Sequence, residues 1–186
     1  MLEVKSPLSY EEFLRVREDI SDRTELIDGV LYVTPSPTLL HQLVSLRLVR
    51  NFDQRFLHAG GGVVFFAPLD FRLGSNSVVQ PDVVIVLDDR AQLLEEDPIS
   101  GSPSIVIEIL SPSTSKRDLG IKRDLYAVRD VPEYWVVDSS ARAVTIHSNP
   151  ESGRYRSVVT SLDVARSVQL PDVSFTLEDL FSPYYP

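Results

Sequence analysis

A charged residue inside a strongly apolar segment is the feature that most restricts how this chain can fold. Glu108 lies in residues 105–110, where the other five residues are isoleucine, valine or leucine. A short apolar, β-branched run of this kind predicts a strand covered on both faces, as in a sheet between helices. An ionised carboxylate is rarely buried without a cation. The strand therefore predicts either a buried ion pair with an arginine or a metal site.

A second carboxylate opens another apolar segment upstream. Asp82 follows Gln80 and Pro81 and precedes residues 83–87, which are all valine, isoleucine or leucine. Two carboxylates on two rigid core strands predict a divalent-cation site, with Asp82 and Glu108 as the metal ligands. A solvated position at the edge of a strand is the open alternative for Asp82.

The hydrophobic pattern along the chain predicts an α/β (α+β) domain. A helix is predicted at 38–58, because apolar residues recur there at helical spacing. The residues expected to face the core are Leu39, Leu40, Leu43, Leu46, Val49, Phe52 and Phe56. The other predicted elements are a helix at 10–19, a hairpin at 24–33 around Asp28-Gly29, strands at 63–66, 69–73, 78–87 and 104–110, a helix at 115–129, a strand at 133–138, shorter strands at 142–160 and 166–169, and a helix near Leu177. We expect one domain over residues 1–186, with a mixed β-sheet core at about 38–140 flanked by helices, an N-terminal hairpin and a C-terminal β elaboration.

Composition restricts the compartment and the partners. The chain contains no cysteine, which excludes disulfides and thiolate zinc sites and permits a reducing compartment. Residues 1–7 lack the apolar stretch of a signal peptide, and no run reaches the about 20 apolar residues of a membrane span. We therefore expect a soluble, cytoplasmic protein. A formal net charge of −9 argues against tight nucleic-acid binding through phosphate contacts alone.

A lysine on the helix after the Glu108 strand is placed to complete the site. Lys122 comes one turn after Asp118 and one turn before Tyr126, so the three side chains share a helix face. Packing of that face on the sheet would bring the ammonium to Glu108. The chain has three lysines against fifteen arginines, and lysine offers a compact charge with an adjustable pKa. A surface ion pair between Asp118 and Lys122 is the open alternative.

Several motifs follow one another in a recognisable order between residues 8 and 180. They are Glu25-Leu26-Ile27-Asp28-Gly29, Pro35-Ser36-Pro37 with His41, Gln80-Pro81-Asp82, Glu108-Ile109-Leu110-Ser111-Pro112-Ser113-Thr114, Asp118, Lys122, Tyr126, and Val131-Pro132-Glu133-Tyr134-Trp135-Val136-Val137-Asp138. In order and spacing they resemble the Uma-two family, bacterial proteins predicted to be endonucleases and placed in the PD-(D/E)XK restriction-endonuclease-like superfamily. The superfamily motif has a lysine two residues after the second acid, where this chain has Leu110. In the family that lysine lies on the following helix, which agrees with Lys122.

The resemblance implies an endonuclease, a hydrolase of phosphodiester bonds that depends on Mg²⁺ or Mn²⁺. Asp82 and Glu108 would hold the metal, and Lys122 would complete the catalytic triad. The implied partner is nucleic acid, with DNA favoured over RNA. Two alternatives stay open: a catalytically silent nuclease-like module that binds nucleic acid or a protein, and an enzyme for a small phosphodiester.

Further residues are secondary candidates for the site. Glu25 would add a third carboxylate or form a salt bridge within its hairpin, and Tyr126 shares the helix face of Lys122. His41 would act as a base near neutral pH or be a packed residue. Ser111 would shape the turn, cap the next helix or bind substrate. The strand of Tyr134 and Trp135 belongs to the core or faces a second subunit of a homodimer.

Overall fold

The computed structural model describes residues 7–95 and 98–182. The first six residues, on which the expectation about a signal peptide mainly rests, lie outside the described residues, as do residues 96–97. Within the described ranges, no helix combines the length and the apolar character needed to cross a bilayer.

Runs of short strands are separated by helices along the chain, as the hydrophobic pattern predicts. The helices are α1 (Tyr10–Arg17), α2 (Leu39–Ala59), α3 (Ser115–Arg117), α4 (Arg123–Val128) and α5 (Leu177–Leu180), with a 3₁₀ helix at Asp88–Glu95 and a π-helical turn at Asp118–Lys122. The strands are β1 (Arg23–Ile27), β2 (Val30–Thr34), β3 (Gly62–Phe66), β4 (Phe71–Arg72), β5 (Val78–Val79), β6 (Val83–Leu87), β7 (Ile99–Ser100), β8 (Ile105–Ile109), β9 (Glu133–Asp138), β10 (Ala143–Glu151), β11 (Arg154–Ser161), β12 (Val164–Arg166) and β13 (Ser174–Thr176).

The strands form two mixed sheets and a two-stranded ribbon. The central sheet has the order β11-β10-β9-β8-β6-β3, and only β8 and β9 within it run parallel. The second sheet has the order β2-β1-β5-β4-β7 and contains the predicted hairpin at Asp28-Gly29. This mixed-sheet architecture with flanking helices confirms the predicted fold class.

The strand that carries Glu108 lies in the interior of the central sheet, between β6 and β9. On one face Ile105, Ile107 and Ile109 pack in a core that includes residues of α2. On the other face Val106 packs in a second core with Tyr126 and Tyr134. Strand β8 is therefore covered on both faces, as its sequence predicts.

The buried face of α2 differs from the predicted one. The buried residues of the helix are His41, Val44, Leu48, Phe52 and Phe56. Leu39 and Leu46, which were expected in the core, are 78% and 50% exposed. The prediction was wrong because leucines at three- and four-residue spacing define a second, overlapping stripe. The sheet packs on the stripe formed by Val44, Leu48, Phe52 and Phe56, which follow one another in four-residue steps.

Residues 78–87, predicted as one strand, form two strands in different sheets. Strand β5 belongs to the second sheet and β6 to the central sheet. Between them Pro81 has no N–H to donate to a ladder, so the chain leaves one sheet and enters the other at residues 80–82. The prediction of a continuous strand was therefore wrong, and Asp82 lies at the junction.

Strand β9 lies inside the sheet between β8 and β10. Tyr134 and Trp135 are both fully buried in the core. The alternative in which this strand faces a second subunit is therefore wrong, because neither its edges nor its faces are open.

The buried Glu133 fixes the segment that follows β12. The predicted strand at 166–169 does not form, because Glu133 accepts hydrogen bonds from Ser167 Oγ and from the N–H groups of Val168 and Gln169. Its other oxygen accepts a hydrogen bond from the indole N–H of Trp135. These contacts replace the partners that a strand would give the same backbone groups.

We expect Glu133→Ala to lower the free energy of unfolding by about 3–5 kcal/mol, because it leaves several buried donors without an acceptor. Urea denaturation monitored by Trp135 fluorescence measures this. Glu151→Ala is the control, because Glu151 pairs only with Arg156 and both side chains are largely exposed. The control should change stability by less than about 1 kcal/mol. Equal effects of the two substitutions would contradict the role of Glu133.

Candidate functional site

Two carboxylates meet at one end of the β6–β8 pair. The strands are antiparallel, with Val83 opposite Ile107. The next pair in that register is Asp82 and Glu108, whose side chains leave the sheet on the face opposite to Val83 and Ile107. Both carboxylates are buried, so the solvated alternative for Asp82 is wrong.

The Lys122 ammonium lies between the carboxylates of the site. Its side chain is only 2% exposed, and Nζ lies 2.6 Å from Glu108 Oε1 and 2.8 Å from Glu25 Oε1. Asp118 Oδ1 is more distant, at 3.9 Å. The alternative of a surface ion pair between Asp118 and Lys122 is therefore wrong. The buried partner of Glu108 is this lysine and not an arginine.

A π-helical turn positions the lysine. The predicted helix at 115–129 consists of α3, the turn at Asp118–Lys122, and α4. A π-turn inserts an extra residue into a helix and is frequent at functional sites. Asp118, Lys122 and Tyr126 are all buried, as their shared helix face predicts. The Tyr126 hydroxyl donates a 2.7 Å hydrogen bond to Glu108 Oε1.

Glu25 connects the second sheet to this helical segment. Its Oε1 accepts a hydrogen bond from Gln80 N at 2.9 Å as well as the contact from Lys122. Its Oε2 lies 3.5 Å from Arg117 Nη2. The hairpin salt bridge considered as its alternative does not form, because both cationic partners of Glu25 come from the later helical segment.

Asp82 is held by hydrogen bonds from two directions. Its Oδ2 accepts the N–H of Ile109 at 2.9 Å and lies 3.1 Å from His41 Nε2. Its Oδ1 lies 3.4 Å from Arg23 Nη1. Burial acts to raise the pKa of Asp82, but the contacts with His41, Ile109 and Arg23 outweigh it and lower the pKa below its usual value. Asp82 is therefore ionised near neutral pH.

Glu108 and Lys122 are shifted in the same direction for different reasons. Burial raises the pKa of Glu108 to about 8, and the carboxylates of Asp118, Asp82 and Glu25 add to the shift, while Lys122 opposes it. Burial acts to lower the pKa of Lys122, but Glu108, Glu25 and Asp118 outweigh it and raise the pKa. Lys122 is thus firmly charged, whereas Glu108 holds a proton more strongly than an exposed carboxyl group does.

A cavity of about 160 Å³ opens onto these groups between two loops, residues 34–38 and residues 111–114. The Ser111 hydroxyl lies 3.0 Å from the hydroxyls of Ser113 and Thr114. The helix that follows, α3, begins at Ser115, and its N-cap residue Thr114 makes no side-chain cap hydrogen bond. The capping role expected for Ser111 is therefore wrong, because its hydroxyl bonds to other hydroxyls within the loop.

The oxygen donors suit a hard divalent cation. Mg²⁺ is commonly bound by one or two carboxylates together with water and substrate phosphate, and Asp82 and Glu108 are two such carboxylates at one cavity. Glu108 Oε2 has no hydrogen-bond partner among the described residues, and Asp82 Oδ1 has only the long contact with Arg23. Among residues 7–95 and 98–182, no group of three or more histidine or acidic side chains is arranged to hold an ion.

The prediction from sequence missed two arginines of the site. Arg23 contacts Asp82. Residues two apart on a strand share a face, so the position of Arg23 relative to Glu25 on β1 could have placed it at the site. Arg117 contacts Glu25 and donates a 2.6 Å hydrogen bond to the Thr34 hydroxyl. No pattern in the sequence relates Arg117 to β1 or β2.

Comparison with known proteins gives a family and a fold. A family model, Uma2, described as "Putative restriction endonuclease", matches residues 10–179. An uncharacterized protein of Synechocystis, slr1290, is 28% identical over 150 residues, which cover 78% of this chain and 76% of that protein. The crystal structure of "a putative nuclease belonging to DUF820" from Anabaena variabilis superposes with a TM-score of 0.79 at 19% identity, over 95% of this chain and 98% of the other. These matches confirm the resemblance and the fold expected from the motifs.

We expect Lys122→Met to lower the free energy of unfolding by about 3–5 kcal/mol, because it leaves buried carboxylates without their cation. The raised pKa of Lys122 keeps its stabilising contribution constant up to alkaline pH in the wild type. Lys122 lowers the pKa of Glu108, which is about 8 in the wild type, so in the variant Glu108 takes up a proton at a higher pH than that. The deficit in stability should therefore be larger above pH 8 than at acidic pH.

Urea denaturation across this pH range measures the deficit. Lys116→Met is the control, because Lys116 is an exposed lysine six residues away, and it should change stability by less than about 0.5 kcal/mol at every pH. A deficit in Lys122→Met that does not depend on pH would show that the ammonium does not compensate ionised carboxylates.

Proposed function

Because the chain belongs to the Uma2 family, we propose that it is a divalent-metal-dependent endonuclease that hydrolyses phosphodiester bonds of nucleic acid. The family description and the nuclease-like fold support a nuclease-like function. The observation that carries the proposal is the meeting of Asp82 and Glu108 at a cavity with the buried Lys122 ammonium between Glu108 and Glu25.

Asp82 and Glu108 would hold Mg²⁺ or Mn²⁺ through their carboxylate oxygens. When bound, such an ion supplies Lewis acidity to the phosphate and lowers the pKa of a water molecule. Asp82 is ionised and oriented by the N–H of Ile109 and by His41, which suits a ligand of a hard cation. The hydroxyl of Tyr126 orients Glu108 in the same way.

Lys122 would stabilise the negative charge that develops on the phosphate. Its ammonium is already desolvated and held by two carboxylates, so it needs little reorganisation during the reaction. A preorganised charge in a water-poor site is worth more than the same charge in water. Glu25 acts in this scheme as a positioning residue, because it holds Lys122 and Arg117 in place.

His41 is the candidate for moving a proton in the cavity. It lines the cavity, and its Nε2 contacts Asp82. Its Nδ1 is buried and has no hydrogen-bond partner among the described side chains and backbone groups. The role of His41 as a base is part of the proposal.

The silent-module alternative has one observation in its favour. Lys122 already neutralises much of the charge of Glu108, and the described residues provide no larger ligand group. A protein that retains this arrangement for stability alone would bind nucleic acid or a protein partner without turnover.

Mg²⁺ or Mn²⁺ should raise the melting temperature of the wild type. An ion that binds only the folded state stabilises it by about 2.7 kcal/mol at a hundredfold excess over its Kd. Asp82→Asn should abolish this rise, and Asp53→Asn, which changes an exposed acid on α2, should retain it. Differential scanning fluorimetry measures the shift. A rise that persists in Asp82→Asn would place the ion elsewhere.

The wild type should cleave nucleic acid only with a divalent ion. We expect Glu108→Gln and Lys122→Met each to lower the cleavage rate by at least about 10²-fold, as removal of one preorganised electrostatic group does. Lys122→Arg should also cleave more slowly than the wild type, because a planar guanidinium fits a compact buried site poorly. Nicking of plasmid and cleavage of labelled DNA and RNA strands measure the rates, with Lys116→Met as the unaffected control.

Binding without turnover would contradict the enzymatic proposal. If the wild type retains nucleic acid at low salt but cleaves no substrate form, including a small phosphodiester, the silent module is the correct function. Equal binding by Glu108→Gln would support that outcome.

A further inference from the structure

The cations that line the cavity are already paired with carboxylates. Each lies within 3.5 Å of a carboxylate oxygen; the pairs are Arg23 with Asp82, Arg117 with Glu25, and Lys122 with Glu108 and Glu25. Asp118 adds a fourth carboxylate to the lining. Among the described lining residues, no arginine or lysine is left without an acidic partner.

Arginines on two of the helices are paired in the same way. Arg55 on α2 pairs with Asp172, and Arg123 on α4 pairs with Asp124. Duplex DNA carries one negative charge per about 1.7 Å of its axis, and proteins bind it largely through phosphate contacts from free arginines and lysines. A chain with a net charge of −9 and paired cations at its site lacks that kind of surface there.

Exposed apolar side chains lie beside the cavity, among the serines and threonines of the same two loops, and form what we call the apolar rim. Pro35 and Pro37 lie exposed on one loop and Pro112 lies exposed on the other. Leu39 and Leu40 continue from the first loop into the first turn of α2 and are 78% and 37% exposed. The faces of unpaired bases are largely apolar and can pack against exposed apolar side chains, whereas a duplex buries those faces between its base pairs.

The depth of the carboxylates restricts the shape of the substrate. Asp82 and Glu108 are buried at the base of a cavity of about 160 Å³ between the two loops. A flexible strand can bend one phosphate into such a cavity, whereas the phosphates of a duplex are held on a wide, stiff cylinder.

We propose that the site takes an unpaired, single-stranded segment of nucleic acid, with bases against the apolar rim, and not an intact duplex. This inference rests on the proposed nuclease function and names the substrate class of the same site.

A binding experiment tests the inference without turnover. Glu108→Gln is titrated, with Mn²⁺ present, into a fluorescein-labelled DNA strand, either alone or annealed to its complement, and anisotropy is recorded. We expect the single strand to bind at least about tenfold more tightly, because packing of its bases on the apolar rim removes apolar area from water. The logarithm of the affinity should fall with the logarithm of salt concentration with a slope shallower than about −2, because few phosphates are contacted.

Cleavage by the wild-type chain gives a second, independent measurement. The single strand should be cut at least about tenfold faster than the duplex of the same sequence. The double variant Leu39→Ser/Leu40→Ser should lose about five- to tenfold of this rate through a higher KM, because it removes the two leucines of the apolar rim and their apolar area. Leu57→Ser is the matched control, because Leu57 is 75% exposed on the same helix, near its other end, and should leave the rate unchanged.

The outcomes separate this inference from the function on which it rests. Equal or faster cleavage of the duplex overturns the single-strand inference and leaves the nuclease function standing. Preferential binding of the single strand without cleavage overturns the nuclease function and supports the assignment of the substrate class. A loss of rate equal in the Leu39→Ser/Leu40→Ser variant and in Leu57→Ser overturns the role of the rim, and failure to bind or cut either form overturns both proposals.

Discussion

The contact of one lysine ammonium with two carboxylates holds the site together. Lys122 comes from the π-helical turn, Glu108 from the central sheet and Glu25 from the second sheet. Three separate elements thus share one buried charge. Removal of Lys122 leaves buried carboxylates without their cation, which is among the most destabilising changes a folded protein can undergo. The relative position of the two sheets therefore depends on this contact as well as on apolar packing.

The chain path explains why Asp82 joins the same cluster. Residues 80–82 carry the backbone from the second sheet to the central one, and Pro81 prevents a continuous ladder there. Arg23 donates hydrogen bonds to the carbonyl and the side chain of Gln80, and Asp82 accepts the N–H of Ile109. The crossing is thereby fixed on both sides. The Asp82 carboxylate is therefore held rigidly at the point where the chain passes from one sheet to the other.

The sequence predicts the features of this site that depend on local pattern. The burial of Glu108, the shared face of Asp118, Lys122 and Tyr126, and the hairpin at Asp28-Gly29 all follow from periods of two or of 3.6 residues and from turn chemistry. The role of each carboxylate and of Lys122 in catalysis stays a prediction.

What the sequence does not predict depends on contacts between distant segments. The choice between two leucine stripes on α2 is made by the sheet that packs on the helix. The division of residues 78–87 follows from the existence of a second sheet, and the contact of Arg117 with Glu25 and Thr34 joins residues far apart in the chain. Local periodicity carries no information about such pairs.

The charges around the cavity have a consequence for how the protein is made. Glu25, Asp82, Glu108 and Asp118 face Arg23, Arg117 and Lys122, so four negative charges meet three positive ones, and the excess vanishes when Glu108 carries its proton. In small zinc domains the ligands repel one another until the metal arrives, and the chain stays unfolded without it. In this protein the site brings its own counter-charges. A newly synthesised chain can therefore complete its fold before it meets any ion or substrate.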